Sequence, residues 1–190
     1  MADAGRVIAG SARGIRLTAP GEGTRPIGDR VKQTVFAILD PALREARFLD
    51  LFAGSGAAGI EALSRGAAAA VFVERDAGAC AVIKANLERA RLAGPNARIV
   101  RAEALAWLAG PAAIEAGPFD VVLADPPYED LAALVRSLEL LDPLLAPGAR
   151  VVAKHFWRDS PPAVVGLLAS ERERRFGETA LTFYRRQEVR

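Results

Sequence analysis

The feature that most constrains the fold is a regular alternation of apolar runs and helical segments, which begins at Arg47. The apolar runs have the length of buried strands and cover residues 47–52, 69–74, 97–101, 119–124 and 149–153. The helical segments between them cover residues 57–65, 76–93, 102–109 and 129–141. Strands and helices that alternate in this way form a parallel sheet covered on both faces. The sequence therefore predicts an α/β fold.

The N-terminal residues precede this alternating pattern. Residues 5–19 alternate apolar and polar positions around Ser11–Gly14, which predicts a β-hairpin arm. After a turn-rich stretch, we expect Asp29 to cap a helix that ends at Asp40-Pro41. The apolar face of that helix is Val31, Val35, Phe36 and Leu39. We assign residues 1–28 to the arm and residues 29–190 to the main domain.

The C-terminal residues predict a second hairpin. Residues 171–176 and 179–185 flank the turn Phe176-Gly177-Glu178. This hairpin would add one antiparallel strand to the sheet. The complete expectation is a mostly parallel, seven-stranded sheet of the Rossmann-like type.

The composition bears on metal binding, on membrane insertion and on the cellular compartment. The single cysteine, Cys80, cannot form an internal disulfide, and with one histidine, His155, it cannot build the usual structural zinc sites. No apolar run approaches the ~18 residues of a membrane-spanning helix, and no signal peptide is evident. We therefore expect a cytoplasmic protein with neither a metal nor a membrane span.

Charge is unevenly distributed along the chain, although its net value is only +2. Residues 1–32 hold six Arg or Lys against three acids, and the tail from Glu171 holds six against four. Basic ends around a mildly acidic body favour contact with a polyanion, but an ordinary solvated surface explains the charges equally well. The candidate polyanion contacts are Arg6, Arg13, Arg16, Arg25, Arg30 and Lys32.

A glycine-rich turn follows the first strand of the alternating region. Gly54-x-Gly56-x-x-Gly59 leads into a helix whose free N–H groups can face a ligand. Glu74 ends the next strand, twenty residues after Gly54, and completes a dinucleotide fingerprint. This spacing alone does not separate NAD from S-adenosylmethionine.

Asp50 favours S-adenosylmethionine, because its carboxylate lies within the strand, where it can meet the positively charged methionine end. Glu74 would then accept hydrogen bonds from the ribose hydroxyls. Glu103 either accepts the adenine amine or caps a helix, and the sequence leaves both roles open. The predicted cofactor-binding residues are Asp50, Phe52, Ala53, Gly54, Ser55, Gly56, Glu74, Glu103 and Ala104.

The predicted chemical centre is Asp125-Pro126-Pro127-Tyr128, which an apolar fourth strand delivers to the carboxyl edge of the sheet. These residue types suit methyl transfer to an exocyclic amine of a nucleobase. Such an amine is a poor nucleophile, because its lone pair is conjugated with the ring. If the Asp125 carboxylate and the Pro126 carbonyl each accept one N–H, the nitrogen can direct its lone pair at a methyl donor. The two prolines stiffen the loop, and Tyr128 offers a face on which a base can stack.

These motifs together resemble the RsmD family of bacterial methyltransferases. The resemblance covers almost the whole chain, from the arm through the cofactor segment to the catalytic loop. It is carried by Arg6–Gly10, Arg13–Leu17, Arg25–Lys32, Leu49–Gly56, Glu61–Ala67 and Asp125–Tyr128. Two departures are Ile27, where the family has a threonine, and Lys154-His155, where it carries a glutamate.

The resemblance implies a methyl transfer from S-adenosylmethionine to the exocyclic N2 of a guanine in 16S rRNA. The expected partner is 16S rRNA within an assembling small ribosomal subunit, and the expected state is a monomer. We expect His155 to lie at a solvated strand end. Trp107 and Trp157 could stack on bases, but packing roles are commoner for lone tryptophans.

Three alternatives remain open at this point. An N6-adenine methyltransferase acting on DNA or RNA would use the same amine chemistry. An NAD-dependent oxidoreductase would account for the glycine spacing alone. A catalytically silent RNA-binding module would keep the fold, but the intact loop at Asp125–Tyr128 argues against it.

Overall fold

The strands form two sheets in the computed structural model, which describes residues 3–21, 28–127 and 130–188. The strands are β1 (Asp3–Arg6), β2 (Arg16–Thr18), β3 (Arg47–Leu51), β4 (Ala69–Glu74), β5 (Ala97–Arg101), β6 (Phe119–Ala124), β7 (Leu145–Phe156), β8 (Val164–Val165), β9 (Leu168–Phe176) and β10 (Thr179–Arg186). The helices are α1 (Asp29–Leu43), α2 (Ala57–Ser64), α3 (Ala77–Arg89), α4 (Ala104–Leu108), α5 (Pro111–Ala116) and α6 (Leu131–Leu141).

The main sheet has eight strands in the order β5-β4-β3-β6-β7-β10-β9-β8. Pairing is parallel from β5 across β4, β3 and β6 to β7, whereas β10 is antiparallel to both β7 and β9. The mostly parallel sheet with an antiparallel C-terminal strand is therefore confirmed. Strand β8 is a two-residue addition at the edge, too short to produce a pattern in the sequence.

Helices cover both faces of this sheet and close two apolar cores. One core packs α1, α2 and α3 with the arm, and includes Phe36, Phe48 and Phe72. The other packs α4, α5 and α6, and includes Trp107 and Phe119. The central strands are buried on both sides, which explains why they read as continuous apolar runs. No helix in the described ranges is long and apolar enough to cross a membrane.

The N-terminal hairpin pairs β1 with β2 and is fastened to helix α2. The fully buried carboxylate of Glu61 accepts hydrogen bonds from the N–H groups of Ile8 and Ala9, at 2.7 and 3.1 Å. Ser64 Oγ donates to the carbonyl of Ala9 and accepts from the N–H of Ala12. The arm is therefore held by buried polar contacts as well as by its apolar residues.

Helix α1 differs from the sequence expectation at both ends. Asp29 lies in its first turn rather than at the cap, because Gly28 occupies the N-cap position and makes no side-chain cap bond. The helix continues through Pro41 to Leu43. Leu43 is buried in the core beside the arm, and we infer that this burial offsets the hydrogen bond that Pro41 cannot donate.

Candidate active site

A cavity of about 790 Å³ opens at the carboxyl edge of the sheet, where β3 and β6 are neighbours. Chain order reverses between these two strands, because β4 and β5 extend the sheet on one side and β7 on the other. Ligands of open α/β sheets bind at such a switch point. Leu51 lies opposite Ala124, so the segments that follow the two strands meet at this cavity.

The turn after β3 is shaped by left-handed backbone conformations. Gly56 has φ of 74° at the N-cap of α2, and its N–H donates to the carbonyl of Ala53 at 2.7 Å. Phe52 has φ of 66°, which is unfavourable for an aromatic residue and is typical of strained functional sites. Phe52, Ala53, Gly54 and Ser55 line the cavity, whereas Gly56 is absent from its lining.

Asp50 lies at the base of the cavity with 2% of its surface exposed. Its Oδ2 accepts a hydrogen bond of 2.9 Å from the N–H of Gly59 in the first turn of α2. Removal of the carboxyl from water raises the pKa of Asp50 to about 8, and the nearby Asp125 and Glu74 add to the increase. A cation in this cavity would favour the ionised form of Asp50.

The two predicted glutamates line the cavity and bind backbone N–H groups. Glu74 accepts from Gly54 and from Asp76, both at 2.9 Å, which leaves further lone pairs on each oxygen. Glu103 caps α4 by accepting from Leu105 and Ala106 at 3.1 and 2.8 Å. The structure thus shows the capping role of Glu103, and its contact with adenine stays a prediction.

The loop after β6 brings Asp125, Pro126 and Pro127 to the same cavity, while Tyr128 lies outside the described residues. Lys154 Nζ donates to both carboxylate oxygens of Asp125, at 2.6 and 2.9 Å. Burial raises the pKa of Asp125, and the charge of Lys154 opposes that increase. In the sequence, Lys154 stands out only as a departure from the family pattern. Its signal was a lysine that ends a buried apolar strand at the catalytic edge.

Asn86 was also missed by the sequence analysis. It is fully buried on α3, where its side chain exchanges hydrogen bonds with the backbone of Thr18 and donates to the carbonyl of Ser55 at 3.0 Å. Asn86 therefore joins the end of the arm to the glycine-rich turn. The sequence feature that could have identified Asn86 is its place on the apolar face of α3, which it shares with Ile83 and Leu87.

Most of the predicted polyanion contacts that the structure describes are exposed, namely Arg6, Arg13, Arg16 and Arg30. Arg6 pairs with Asp29, and Arg16 pairs with Asp3. Arg25 lies outside the described residues. The prediction that Lys32 contacts a polyanion is wrong. Its side chain is fully buried, and its ammonium donates to the carbonyl of Arg6. Lys32 stabilises the arm and cannot reach a phosphate.

Three other residues that the sequence analysis singled out have packing roles. His155 is buried within β7, not solvated as expected, and its ring nitrogens contact the Phe156 carbonyl and Thr182 Oγ1, each at 2.9 Å. Trp107, on α4, has its side chain buried in the second core. The ring of Trp157 lies 3.7 Å from the guanidinium carbon of Arg175, a cation–π contact.

The charges around the cavity favour a cationic ligand. Among the residues that the structure describes, six acidic and two basic ones line it, the basic ones being Arg75 and Lys154. The N–H groups of Gly54 and Gly59, which a dinucleotide fold would turn toward pyrophosphate, already donate to Glu74 and Asp50. The Glu74 carboxylate would repel a phosphate. In the described part of the chain, no cluster of His, Cys, Asp and Glu is arranged to hold a metal ion.

Known proteins of solved structure share this fold. The solved Escherichia coli structure yhhF, described as a candidate methyltransferase, superposes with a TM-score of 0.83 at 34% identity, covering 96% of this chain and 97% of that one. Fold and site together define the class of Rossmann-like methyltransferases. Residues 5–185 match the family described as conserved hypothetical protein 95, and the chain belongs to this family. The resemblance to the RsmD family is thus confirmed.

Two curated relatives carry the same name, ribosomal RNA small subunit methyltransferase D. The Escherichia coli K12 protein is 36% identical over 185 residues, which are 96% of this chain and 90% of the relative. The Haemophilus influenzae protein is 39% identical over 148 residues, which are 77% of this chain and 76% of the relative. This chain is therefore similar to these relatives over most of both lengths.

Proposed function

We propose that this chain transfers a methyl group from S-adenosylmethionine to the exocyclic N2 of a guanine in 16S rRNA. The observation that carries the proposal is the meeting of the Asp125–Pro127 loop, the glycine-rich turn and Glu74 in one acidic cavity. The names of the two relatives support a substrate in the small-subunit ribosomal RNA. The RNA base and the N2 position rest on the loop chemistry and on the resemblance to the RsmD family.

The cavity residues fit the methyl donor. Its sulfonium and ammonium are cations that an excess of carboxylates attracts, and the sulfonium supplies a methyl group already activated for transfer. Asp50 and the turn from Phe52 to Ser55 would hold the methionine end. Glu74 would accept the ribose hydroxyls with the lone pairs that Gly54 and Asp76 leave free. Glu103 and Ala104 would lie beside the adenine.

The Asp125–Pro127 loop would position the amine. The Asp125 carboxylate and the Pro126 carbonyl would each accept one N–H, so that the nitrogen lone pair faces the methyl group. Neither Pro126 nor Pro127 has an N–H that could compete for these acceptors. Positioning and electrostatic preorganisation then account for most of the rate. Tyr128 would stack on the target base, and Asp125 would take up the departing proton.

The exposed arginines of the arm would hold the RNA. Arg6, Arg13 and Arg16 belong to the arm, and Arg30 to the start of α1. Pro20 and Gly21, the last arm residues that the structure describes before residues 22–27, line the cavity. Phosphates bound along the arm would therefore lead to the catalytic edge. Arg25 completes the set by prediction. We propose a monomer that acts in the cytoplasm on an assembling small subunit.

The function is tested by methylation of three substrates in parallel, namely bare 16S rRNA, partly assembled small subunits and adenine-containing DNA. Nucleoside mass spectrometry should show N2-methylguanosine in one or both of the ribosomal substrates. N6-methyladenosine in DNA or RNA would instead identify the adenine-specific alternative. Binding of NAD rather than S-adenosylhomocysteine in calorimetry would identify an oxidoreductase.

We predict that the substitution Asp125→Ala abolishes methyl transfer and leaves the affinity for S-adenosylhomocysteine within a few-fold of the parental value. The reason is that Asp125 is assigned to the amine, not to the cofactor. The exposed Glu115 on α5 provides the matched control, because Glu115→Ala removes an equal charge far from the loop. Near-normal turnover in the Asp125→Ala protein would remove Asp125 from the mechanism.

A further inference from the structure

Lys154 makes a buried ion pair with Asp125, the residue proposed to bind the target amine. Ala153 of β7 lies opposite Ala124 of β6, so the next residue on each strand, Lys154 and Asp125, are neighbours at the edge of the cavity. The side chains of Lys154 and Asp125 are 8% and 17% exposed. The ammonium contacts both carboxylate oxygens, which fixes the plane of the carboxylate.

An ionised Asp125 is needed because a carboxylate accepts hydrogen bonds at both oxygens, whereas a protonated carboxyl donates one. The cavity opposes ionisation, because it removes the Asp125 carboxyl from water. Glu74 and Asp130 also line the cavity and add negative charge. The ammonium of Lys154, which contacts Asp125, instead favours the ionised carboxylate.

The contact leaves Asp125 able to bind the amine. A carboxylate has about four lone-pair positions, and the ammonium of Lys154 occupies one on each oxygen. The remaining positions can accept an N–H from a base that enters the cavity. The strong, two-point contact also prevents the carboxylate from rotating away from the cavity.

We propose that Lys154 is a positioning residue for methyl transfer, which holds the Asp125 carboxylate in its ionised form and orients its free lone pairs toward the target amine. This inference rests on the proposed role of Asp125. Lys154 itself would touch neither the cofactor nor the methyl group.

The test is the pH dependence of kcat for Lys154→Met, with Lys154→Arg as the conservative variant and the exposed Lys84→Met on α3 as the control. Removal of the ammonium leaves desolvation unopposed, so the pKa of Asp125 increases further. The acidic limb of the kcat profile should move to higher pH by about one unit or more, which lowers kcat by about tenfold at pH values on the acidic side of the parental limb. The activity of Lys154→Met should recover toward the parental value at high pH. Lys154→Arg should keep the parental limb.

A purely structural role of Lys154 would lower kcat by the same factor at every pH, and that result would overturn the inference. An unmoved limb in an active Lys154→Met protein would overturn it as well. If Lys154→Met does not fold, Lys154→Gln gives the same comparison. Failure of the proposed function is a separate result, because the parental protein would then not methylate 16S rRNA at all.

Discussion

Burial sets the chemistry of individual carboxylates in this protein. Asp50 and Asp125 are both removed from water at the same cavity, but Asp125 has an ammonium partner and Asp50 has a backbone N–H. An N–H stabilises a carboxylate less than a full positive charge does. Asp50 therefore holds its proton to about pH 8, until a cation arrives. This difference supports the proposed roles of Asp50 toward a cationic ligand and of Asp125 toward an amine.

We predict that the affinity for S-adenosylhomocysteine increases with pH between about pH 6 and pH 7.5, by up to tenfold per unit. In the free protein the raised pKa keeps Asp50 protonated over this range. The ligand ammonium stabilises the ionised form, so binding releases a proton, and a higher pH favours the complex. Calorimetry in buffers of different ionisation enthalpy measures both the affinity and the released proton.

The substitution Asp50→Asn is the control for this proton release. It keeps the size of the side chain and removes its titration, so the variant should bind more weakly and without the pH dependence. A parental affinity that does not change over the same pH range would contradict the assignment of Asp50 to the ligand ammonium.

At the scale of elements, the arm depends on one close approach to α2. Gly10 has φ of 83°, and a Cβ at this position would lie 1.7 Å from the carbonyl oxygen of Ser64. That carbonyl accepts the N–H of Ser11 at 2.8 Å. A side chain at position 10 would therefore push the hairpin from the helix and break its contacts with Glu61 and Ser64.

We predict that Gly10→Ala destabilises the protein by about 2 kcal/mol more than Gly14→Ala. Gly14 is a matched control, because its φ is 87° and no atom lies within 4 Å of the added Cβ. The control thus carries the backbone strain of a left-handed alanine, about 1 kcal/mol, without the clash. Urea denaturation measures the difference, and equal stabilities would show that the arm does not pack closely at Ser64.

At the scale of the whole molecule, the arm connects the exposed arginines to the carboxyl edge of the sheet. The exposed arginines lie on the arm and on α1, and Asn86 connects the end of the arm to the turn at Ser55. An RNA bound along the arm would thus contact a segment that Asn86 links to the glycine-rich turn. The arm accordingly has a structural and a proposed binding role.

We predict that Arg13→Ala combined with Arg16→Ala weakens RNA binding and makes it less dependent on salt. Each phosphate contact that is lost should reduce the slope of log affinity against log salt by about 0.7. The control combines Arg98→Ala with Arg136→Ala, which removes the same charge from exposed positions on β5 and α6. If this double variant keeps the parental slope of log affinity against log salt, the two arginines only keep the hairpin in solution.

The sequence by itself was sufficient for most of the elements and for their succession along the chain, although it did not predict β8 or α5. Strand and helix periodicities are local properties, so the runs from Arg47 onward predicted β3 through β7 and the parallel sheet that follows from them. The glycine spacing, Glu74 and Asp125 could be placed at one edge, because the carboxyl ends of parallel strands converge there. The C-terminal hairpin followed from its turn residues.

The tertiary structure alone decided which side chains meet. Lys154 and Asp125 are 29 residues apart, and Asn86 and Thr18 are 68 apart, so no local pattern couples them. Burial decided the rest, since Lys32 and His155 carry polar groups that a sequence assigns to the surface, yet both find partners inside. The physical reason is that a buried polar group is stable only when its partner is supplied, and that partner comes from a distant element.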